Sequence, residues 1–245
     1  MRTLHFYYEN SLAGFICRRA KEKWFPYPVR SDFYGVTLQL DCLPRAMQKI
    51  LLDGDYEKDE LIILPELVTA TDRVMEIGAA IGLVGLYCRK IIKVNNLVSV
   101  EPNPNTIANL RRNYELNGLT PSIIEAALTE EDGPVQLLTT DMFWGDSLIS
   151  VTGNGNQSTI TIEGLSFTSL VRCAGFEFNV LIVDIEGAEQ YISIDSIPDH
   201  VNKILIEVHP YVIGVRNAYQ ILESLIRAGF IVHGQSGNCW ALVRI

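Results

Sequence analysis

The stretch Arg73-Val-Met-Glu-Ile-Gly-Ala-Ala-Ile-Gly-Leu-Val-Gly-Leu-Tyr87 constrains this chain more than any other. An apolar run, Val74 to Ile77, meets a turn of small residues, and a second apolar run follows without a break. That order predicts a buried strand feeding a helix, with main chain exposed at the turn where a ligand can approach closely. A strand of this kind belongs to a parallel sheet covered on both faces.

The spacing within the turn narrows the ligand. A dinucleotide turn wants glycine at its first, third and sixth places so that amides close on a pyrophosphate. Ala80 holds the third place, while Gly78 and Gly82 form a G-x-x-x-G turn with Glu76 ahead of it at the strand end. A ligand with ribose and adenine but no phosphate, carrying a cationic centre and an amino group, fits that better. S-adenosylmethionine is such a ligand.

With 245 residues, 48% hydrophobic and 20% charged, the chain can bury one large core or two small ones. Its formal charge of −9 argues against a nucleic-acid partner, which requires clustered Lys and Arg. Basic residues outnumber acidic ones only in residues 1–50. Arg18, Arg19, Lys21 and Lys23 with Trp24, Phe25 and Tyr27 form a basic-aromatic cluster there, suited either to an anionic or carrier-bound substrate or to a solvated helix face. Cys17, Cys42, Cys88, Cys173 and Cys239 form no C-x-x-C pair, so reduced thiols in a cytosolic protein are expected, with neither zinc site nor disulfide framework. The apolar run Ile77 to Cys88 is too short to span a bilayer, and the N-terminus lacks a signal-peptide layout. A cytoplasmic protein without membrane attachment is the expectation.

Along the chain, 3–8 reads as a strand, 11–23 as a helix, and Phe33 to Asp41 as one strand with Tyr34, Val36, Leu38 and Leu40 on one side. Residues 1–50 are expected to form a small cap that selects substrate, packed on a main domain at 51–245. Leu61 to Leu67 suggests helical turns. Leu97 to Val100 is a strand, followed by a helix that Asn103 caps and Pro104 opens, with Ile107, Leu110 and Tyr114 as its apolar stripe and Gly118 as its stop. Ser122 to Leu128 reads as a further strand. Ser147 to Thr152 and Ser158 to Ile162 flank Gly153-Asn-Gly-Asn156 as a hairpin. Then come a helix at Ser166 to Ala174, strands at Asn179 to Val183 and Lys203 to Val208, and a helix capped by Asn217 with Ile221, Leu222, Leu225 and Ile226 inward. Phe230 to His233, a Gly-Gln-Ser-Gly turn and Cys239 to Arg244 close the chain. Strands alternating with helices predict an α/β fold, a doubly wound, mostly parallel seven-stranded sheet with one antiparallel strand from the terminal hairpin.

Ligands of open α/β sheets bind at the carboxyl ends of strands. Those ends carry Glu76 with Gly78, Glu101, Glu125-Ala126-Ala127, Asp184 with Glu186, and Glu207 with His209. Glu101, about 20 residues beyond the first turn glycine, stands where an acid accepts hydrogen bonds from both ribose hydroxyls. That spacing is shared with nicotinamide-dependent dehydrogenases; the turn and the C-terminal hairpin point away from them.

These residues resemble the FkbM-type S-adenosylmethionine-dependent methyltransferases. The resemblance runs across residues 50–210, on Gly54-Asp-Tyr-Glu57, Glu76-Ile-Gly-Ala-Ala-Ile-Gly82, Val100-Glu-Pro-Asn103, Ala127-Leu128, Val183-Asp-Ile-Glu-Gly-Ala-Glu189 and Ile206-Glu-Val-His209. It implies a Rossmann-like class I methyltransferase fold and methyl transfer to oxygen on a sugar, polyketide or other small natural product. It also implies that Gly78, Ala79 and Gly82 lie under the methionine-ribose part and that Glu101, with Pro102, holds the ribose. Ala126 and Ala127 would border the adenine, Asp184 would face the methyl, and Tyr56 and Glu57 would close over the cofactor. The chain departs from the family at Glu76 and Ala80, where aspartate and asparagine are common, at Val183, where lysine is, and at Leu165-Ser166, where leucine-aspartate is.

An alcohol acceptor must lose its proton, so a base is needed near the methyl. Asp184, Glu207 and His209 are the candidates, and His209 suits the pH range. Asp184/Glu186 and Glu207/His209 are i, i+2 pairs that in extended chain point one way, so the same set suits Mg²⁺ or Mn²⁺; no metal is the expectation, because a sulfonium already balances the carboxylates. A nicotinamide-dependent oxidoreductase and a non-catalytic cofactor-binding subunit are the alternatives.

Overall fold

The computed structural model describes residues 27–139 and 158–244. The strand and helix expected at 3–8 and 11–23, the basic-aromatic cluster up to residue 26, and the hairpin arm and tip at 147–156 lie outside these residues.

A seven-stranded sheet forms the centre: β3 (Arg73–Ile77), β4 (Asn96–Val100), β5 (Ile123–Ile124), β9 (Val180–Val183), β10 (Lys203–Glu207), β11 (Ile231–Ser236) and β12 (Cys239–Val243). Its order is β11-β12-β10-β9-β3-β4-β5, and β12 is the one strand that runs opposite to the other six. This is the doubly wound, mostly parallel sheet expected. Period-two alternation sorts each strand between two cores. Val74, Leu97, Val180, Ile182 and Leu205 face one; Met75, Ile77, Val98, Leu181, Val183 and Ile204 face the other. Because both faces are covered, the strands read as continuous apolar runs.

The first face carries helices α1 (Arg45–Asp53), α2 (Lys58–Leu67), α3 (Leu83–Tyr87, which runs into a π turn at Cys88–Ile92) and α4 (Pro104–Leu116). The second carries α5 (Phe167–Cys173) and, after a single turn α6 (Pro210–Ile213), α7 (Val215–Arg227). Asn103 caps α4 through its side chain, which accepts from the Asn105 amide at 2.9 Å with Pro104 behind it, as the sequence predicts.

Several elements differ from the sequence expectation. Phe33 to Asp41 is not one strand but the end of a hairpin, β1 (Arg30–Phe33) and β2 (Val36–Gln39). Tyr34 and Gly35, both at positive φ, form the two-residue turn that matches the twist of paired strands, so Tyr34 is exposed while Val36, Leu38 and Leu40 stay buried. The described part of the front section adds to the main core rather than a core of its own: Val36, Leu38, Leu43 and Met47 pack with Ile81 and Leu83. Buried Asn113 of α4 ties the two, accepting from the Gln39 amide and donating to the Ile81 carbonyl, each at 2.9 Å.

Ser122 to Leu128 splits between two sheets. The Ala126 amide turns back onto the Ile124 carbonyl at 3.1 Å, ending β5 and starting β6 (Ala127–Thr129). β6 joins a small sheet with β8 (Ser158–Ser166) and β7 (Gly133–Thr139). Among the described residues the antiparallel partner of β8 is β7, seven residues in register. Asn217 lies inside the first turn of α7, where its side chain donates to the Ile213 carbonyl. Ala218, Leu222 and Leu225 face inward and Ile226 faces solvent, since i, i+4, i+7 defines one stripe. The terminal turn falls at Gly237-Asn238, because β11 continues to Ser236 across a bulge beside Val232. No helix among the described residues is long and apolar enough to cross a membrane.

Candidate active site

The carboxyl ends of β3, β4, β9 and β10 open into a cavity of about 310 Å³, flanked by the start of α2 and by residues of β6 and β7. Gly78 sets how closely its walls approach. At φ +91°, it lies so near the end of β9 that a Cβ would sit 1.6 Å from the Asp184 carbonyl oxygen. Only glycine tolerates both the backbone conformation and the contact.

The turn after β3 uses its amides internally. Gly78 and Ala79 N–H both donate to the Val100 carbonyl, at 2.9 and 3.1 Å, and Gly82 N–H donates to the Ala79 carbonyl at 2.7 Å. Ala80 N–H donates to Glu101 Oε2 at 3.0 Å. Glu101 Oε1 accepts from the Asn103 amide at 2.9 Å, so backbone groups on both sides hold the carboxylate at the cavity wall.

The wall is strongly acidic. Among the described residues eight of those lining it are Asp or Glu (Asp55, Glu57, Asp59 and Glu60 of the α2 entrance, with Glu101, Asp184, Glu186 and Glu207), and Lys58 is the one basic residue. Burial, then the neighbouring Glu207 and Glu60 carboxylates, pushes Asp184 well above the usual carboxylate range. Burial and Glu60 push Glu207 up to about 8. Glu57, at φ 48° as the cap of α2, is raised by burial and Glu60, and the Tyr56 hydroxyl beside it is raised by burial and Glu57. A wall of this kind favours a cationic ligand.

The structure brings Tyr56, Glu57, Gly78, Glu101, Pro102, Ala126, Ala127, Asp184 and Glu207 together around this cavity. It places Glu76, Ala79 and Gly82 elsewhere. Glu76 alternates to the opposite face of β3, where it is 2% exposed beneath α3, accepts from Ser99 Oγ at 2.5 Å and is raised by burial to about 7. Ala79 packs in the first core. Gly82 lies against Leu110 and Tyr114, so its small size serves helix packing.

His209 stands behind the wall, its side chain 1% exposed. Glu189 Oε1 accepts from its backbone N–H at 2.8 Å and lies 3.3 Å from Nδ1, while Glu189 Oε2 accepts from the Gly187 amide at 2.7 Å. Nε2 points to the carboxylates: Asp184 Oδ1 at 3.5 Å, Glu186 Oε2 at 3.6 Å and Glu207 Oε1 at 3.9 Å. Burial lowers the imidazole pKa, but the Glu189 hydrogen bond and the carboxylates of Glu186, Glu189 and Glu207 raise it further, so the net shift is upward. Tyr211 packs edge-on against this ring at 5.6 Å and donates to Glu186 Oε2 at 3.1 Å.

Glu60, Glu189 and Tyr211 are the functional-site residues that sequence reasoning missed. Glu189 ends the Asp184-Ile-Glu-Gly-Ala-Glu189 block, and Tyr211 follows His209 by two residues; their positions beside known candidates were the available signal. Ligand atoms of Asp184, Glu207 and His209, and of Glu60, Glu207 and Cys239, lie within 4.8 Å of one another in each set.

No protein-family model matches this chain, and no curated protein matches its sequence. Among solved structures it is similar to the FkbM methyltransferase of Methylobacillus flagellatus KT, with 14% identity and a TM-score of 0.48 over 76% of this chain and 46% of that one. The chain thus spans less than half the length of that protein. It is also similar to the ribosomal protein L11 methylase of Lactobacillus delbrueckii subsp. bulgaricus (10% identity, TM-score 0.47, 78% and 80% of the two chains). A third likeness is to Aeropyrum pernix fibrillarin, solved with bound S-adenosyl-L-methionine (14% identity, TM-score 0.46, 76% and 71%).

Proposed function

We propose that this chain is an S-adenosylmethionine-dependent methyltransferase acting on a hydroxyl of a small molecule. One observation carries the reading: the amides of Gly78, Ala79, Ala80 and Gly82 are all bonded within the protein, beside a wall whose described residues include eight acids and one lysine. A pyrophosphate needs free amides and positive charge, and this turn supplies neither. A ribose, an adenine and a sulfonium with an amino group need what is present. Glu101 accepts from ribose hydroxyls, Ala126 and Ala127 supply apolar contact for adenine, and the carboxylates oppose the positive charge.

S-adenosylmethionine supplies an already activated methyl group, so the chain's task is chiefly to position the acceptor in line with it. The acceptor hydroxyl loses its proton to the Asp184 and Glu207 carboxylates, which face the cavity; burial makes both readier to take up a proton, Asp184 helped by Glu207 and Glu207 by Glu60, which brings Glu207 to about 8. His209, behind them, positions this pair.

Thermal unfolding with S-adenosylmethionine, S-adenosylhomocysteine and NAD⁺ in separate samples tests the cofactor. A ligand at a hundredfold its Kd stabilises by about 2.7 kcal/mol. A shifted midpoint with the first two alone supports the reading, and a shift with NAD⁺ alone replaces it by an oxidoreductase. Asp184→Ala and His209→Ala should then lower methyl transfer while sparing cofactor binding; unchanged turnover in both sinks the role given to this cluster.

A further inference from the structure

We infer that Asp184, Glu207 and His209 form a binding site for a divalent metal ion of the Mn²⁺ or Zn²⁺ kind, with open positions facing the cavity. The inference stands on this cluster's geometry and holds whether or not the cofactor is S-adenosylmethionine.

The first support is the set of distances around His209 Nε2. At 3.5 Å to Asp184 Oδ1 and 3.9 Å to Glu207 Oε1, they are too long for hydrogen bonds. They fall within the range of separations open to atoms sharing one ion. Two ligands each about 2.1 Å from a metal lie about 3.0 Å apart when cis in an octahedron, about 3.4 Å in a tetrahedron and about 4.2 Å when opposite. All three ligand atoms lie within 4.8 Å of one another.

The second support is how the histidine is held. Its side chain is 1% exposed, and its Nδ1 faces Glu189 Oε1. A carboxylate only accepts, so Nδ1 carries a proton, and Nε2, which faces Asp184 and Glu207, is the nitrogen that a metal ion takes in place of a second proton. A carboxylate behind a histidine in this way is the arrangement that orients metal-ligating imidazoles. The third support is Asp184 Oδ1, which is buried and has no hydrogen-bond partner although it points at Nε2. Orphaned buried carboxylate oxygens are costly, and a cation removes the cost. Two carboxylates and one imidazole make a mixed O/N donor set, which Mn²⁺ and Zn²⁺ accept. The neighbouring set of Glu60, Glu207 and Cys239 is less suited, since the Cys239 thiol already donates to Glu60 at 3.1 Å.

Asp184 and Glu207 line the cavity, so the remaining positions of the ion open toward an entering acceptor. On the methyltransferase reading, the ion would sit where the acceptor oxygen approaches and would make its hydroxyl easier to deprotonate, each carboxylate offering one oxygen to the ion and keeping the other for the proton.

Titration calorimetry with MnCl₂ on the full chain, stripped with a chelator and free of added cofactor, tests this. The expected result is one Mn²⁺ per chain, with binding lost in His209→Ala and in Asp184→Asn and weakened about 10–100-fold in Glu189→Gln, the positioning partner. Manganese EPR on the same samples reads the bound ion directly. If one variant fails to fold by circular dichroism, the other carries the comparison. No binding to the wild type, or equal binding in the folded variants, overturns the inference. Cofactor-induced thermal shifts in the metal-free protein report separately on the proposed function, so either can fail alone.

Discussion

Glu189 Oε1 is shared by two atoms of His209, its backbone N–H at 2.8 Å and its Nδ1 at 3.3 Å. One buried carboxylate therefore fixes both the chain after β10 and the plane of the imidazole. Its other oxygen takes the Gly187 amide. Glu189→Ala would leave two buried amides without acceptors, each costing about 1–3 kcal/mol. Urea unfolding should show a loss of about 2–4 kcal/mol.

Glu76 predicts a pH dependence. Burial raises its pKa from about 4.5 to about 7 in the folded state. The folded state thus holds a proton that the unfolded chain releases, so its contribution to stability is full below about 4.5 and disappears as pH rises through about 7. Glu76→Gln, which keeps the neutral shape, should flatten stability against pH between 5 and 8. A variant whose thermal midpoint still falls with pH as steeply as the wild type would show that Glu76 does not carry the effect.

Gly78→Ala and Gly118→Ala form a contrast. Both residues have positive φ, but a Cβ at Gly78 meets the Asp184 carbonyl at 1.6 Å whereas at Gly118 nothing lies within 4 Å. Gly118→Ala should cost about 1 kcal/mol, the backbone penalty alone. Gly78→Ala should cost more than about 3 kcal/mol or prevent folding, because β3 and β9 must separate. Equal midpoints would contradict the close approach.

Glu101→Gln tests the ribose assignment. The amide keeps one acceptor oxygen, so one charge-assisted bond of about 1.5–3 kcal/mol is weakened or lost. S-adenosylhomocysteine affinity, measured by calorimetry, should fall by about tenfold or more, and the free protein should lose about 1–3 kcal/mol as well, because the new NH₂ faces one of the two amides, Ala80 or Asn103, that the carboxylate accepts from. Unaltered affinity removes Glu101 from the cofactor's contacts.

Asn113→Ala tests how the front hairpin is joined to the body. The substitution leaves the buried Gln39 amide and the Ile81 carbonyl without partners. A loss of about 2–4 kcal/mol is expected by urea unfolding. A loss confined to residues 30–40, seen by hydrogen exchange, would mean that the hairpin opens as a separate unit.

What the chain determines locally was legible in it. The buried strands are apolar runs because both sheet faces are covered, and Asn103-Pro104, Ser166 and the glycines after helices act within a few residues of themselves. The strand ends then follow, and with them the acids that meet at the cavity. What depends on long-range pairing was not legible. The partner of β8 is chosen by register across a separation of about twenty residues or more, which turn chemistry near 153–156 could not report. The side of the sheet on which an acid emerges was likewise decided by tertiary structure. Glu76 and Gly78 are two residues apart in sequence, yet the acid lies under α3 and the glycine at the cavity, because a strand alternates while a turn does not. Glu189 was invisible as a partner of His209, since only the packing of two strand ends brings residues twenty positions apart within 2.8 Å.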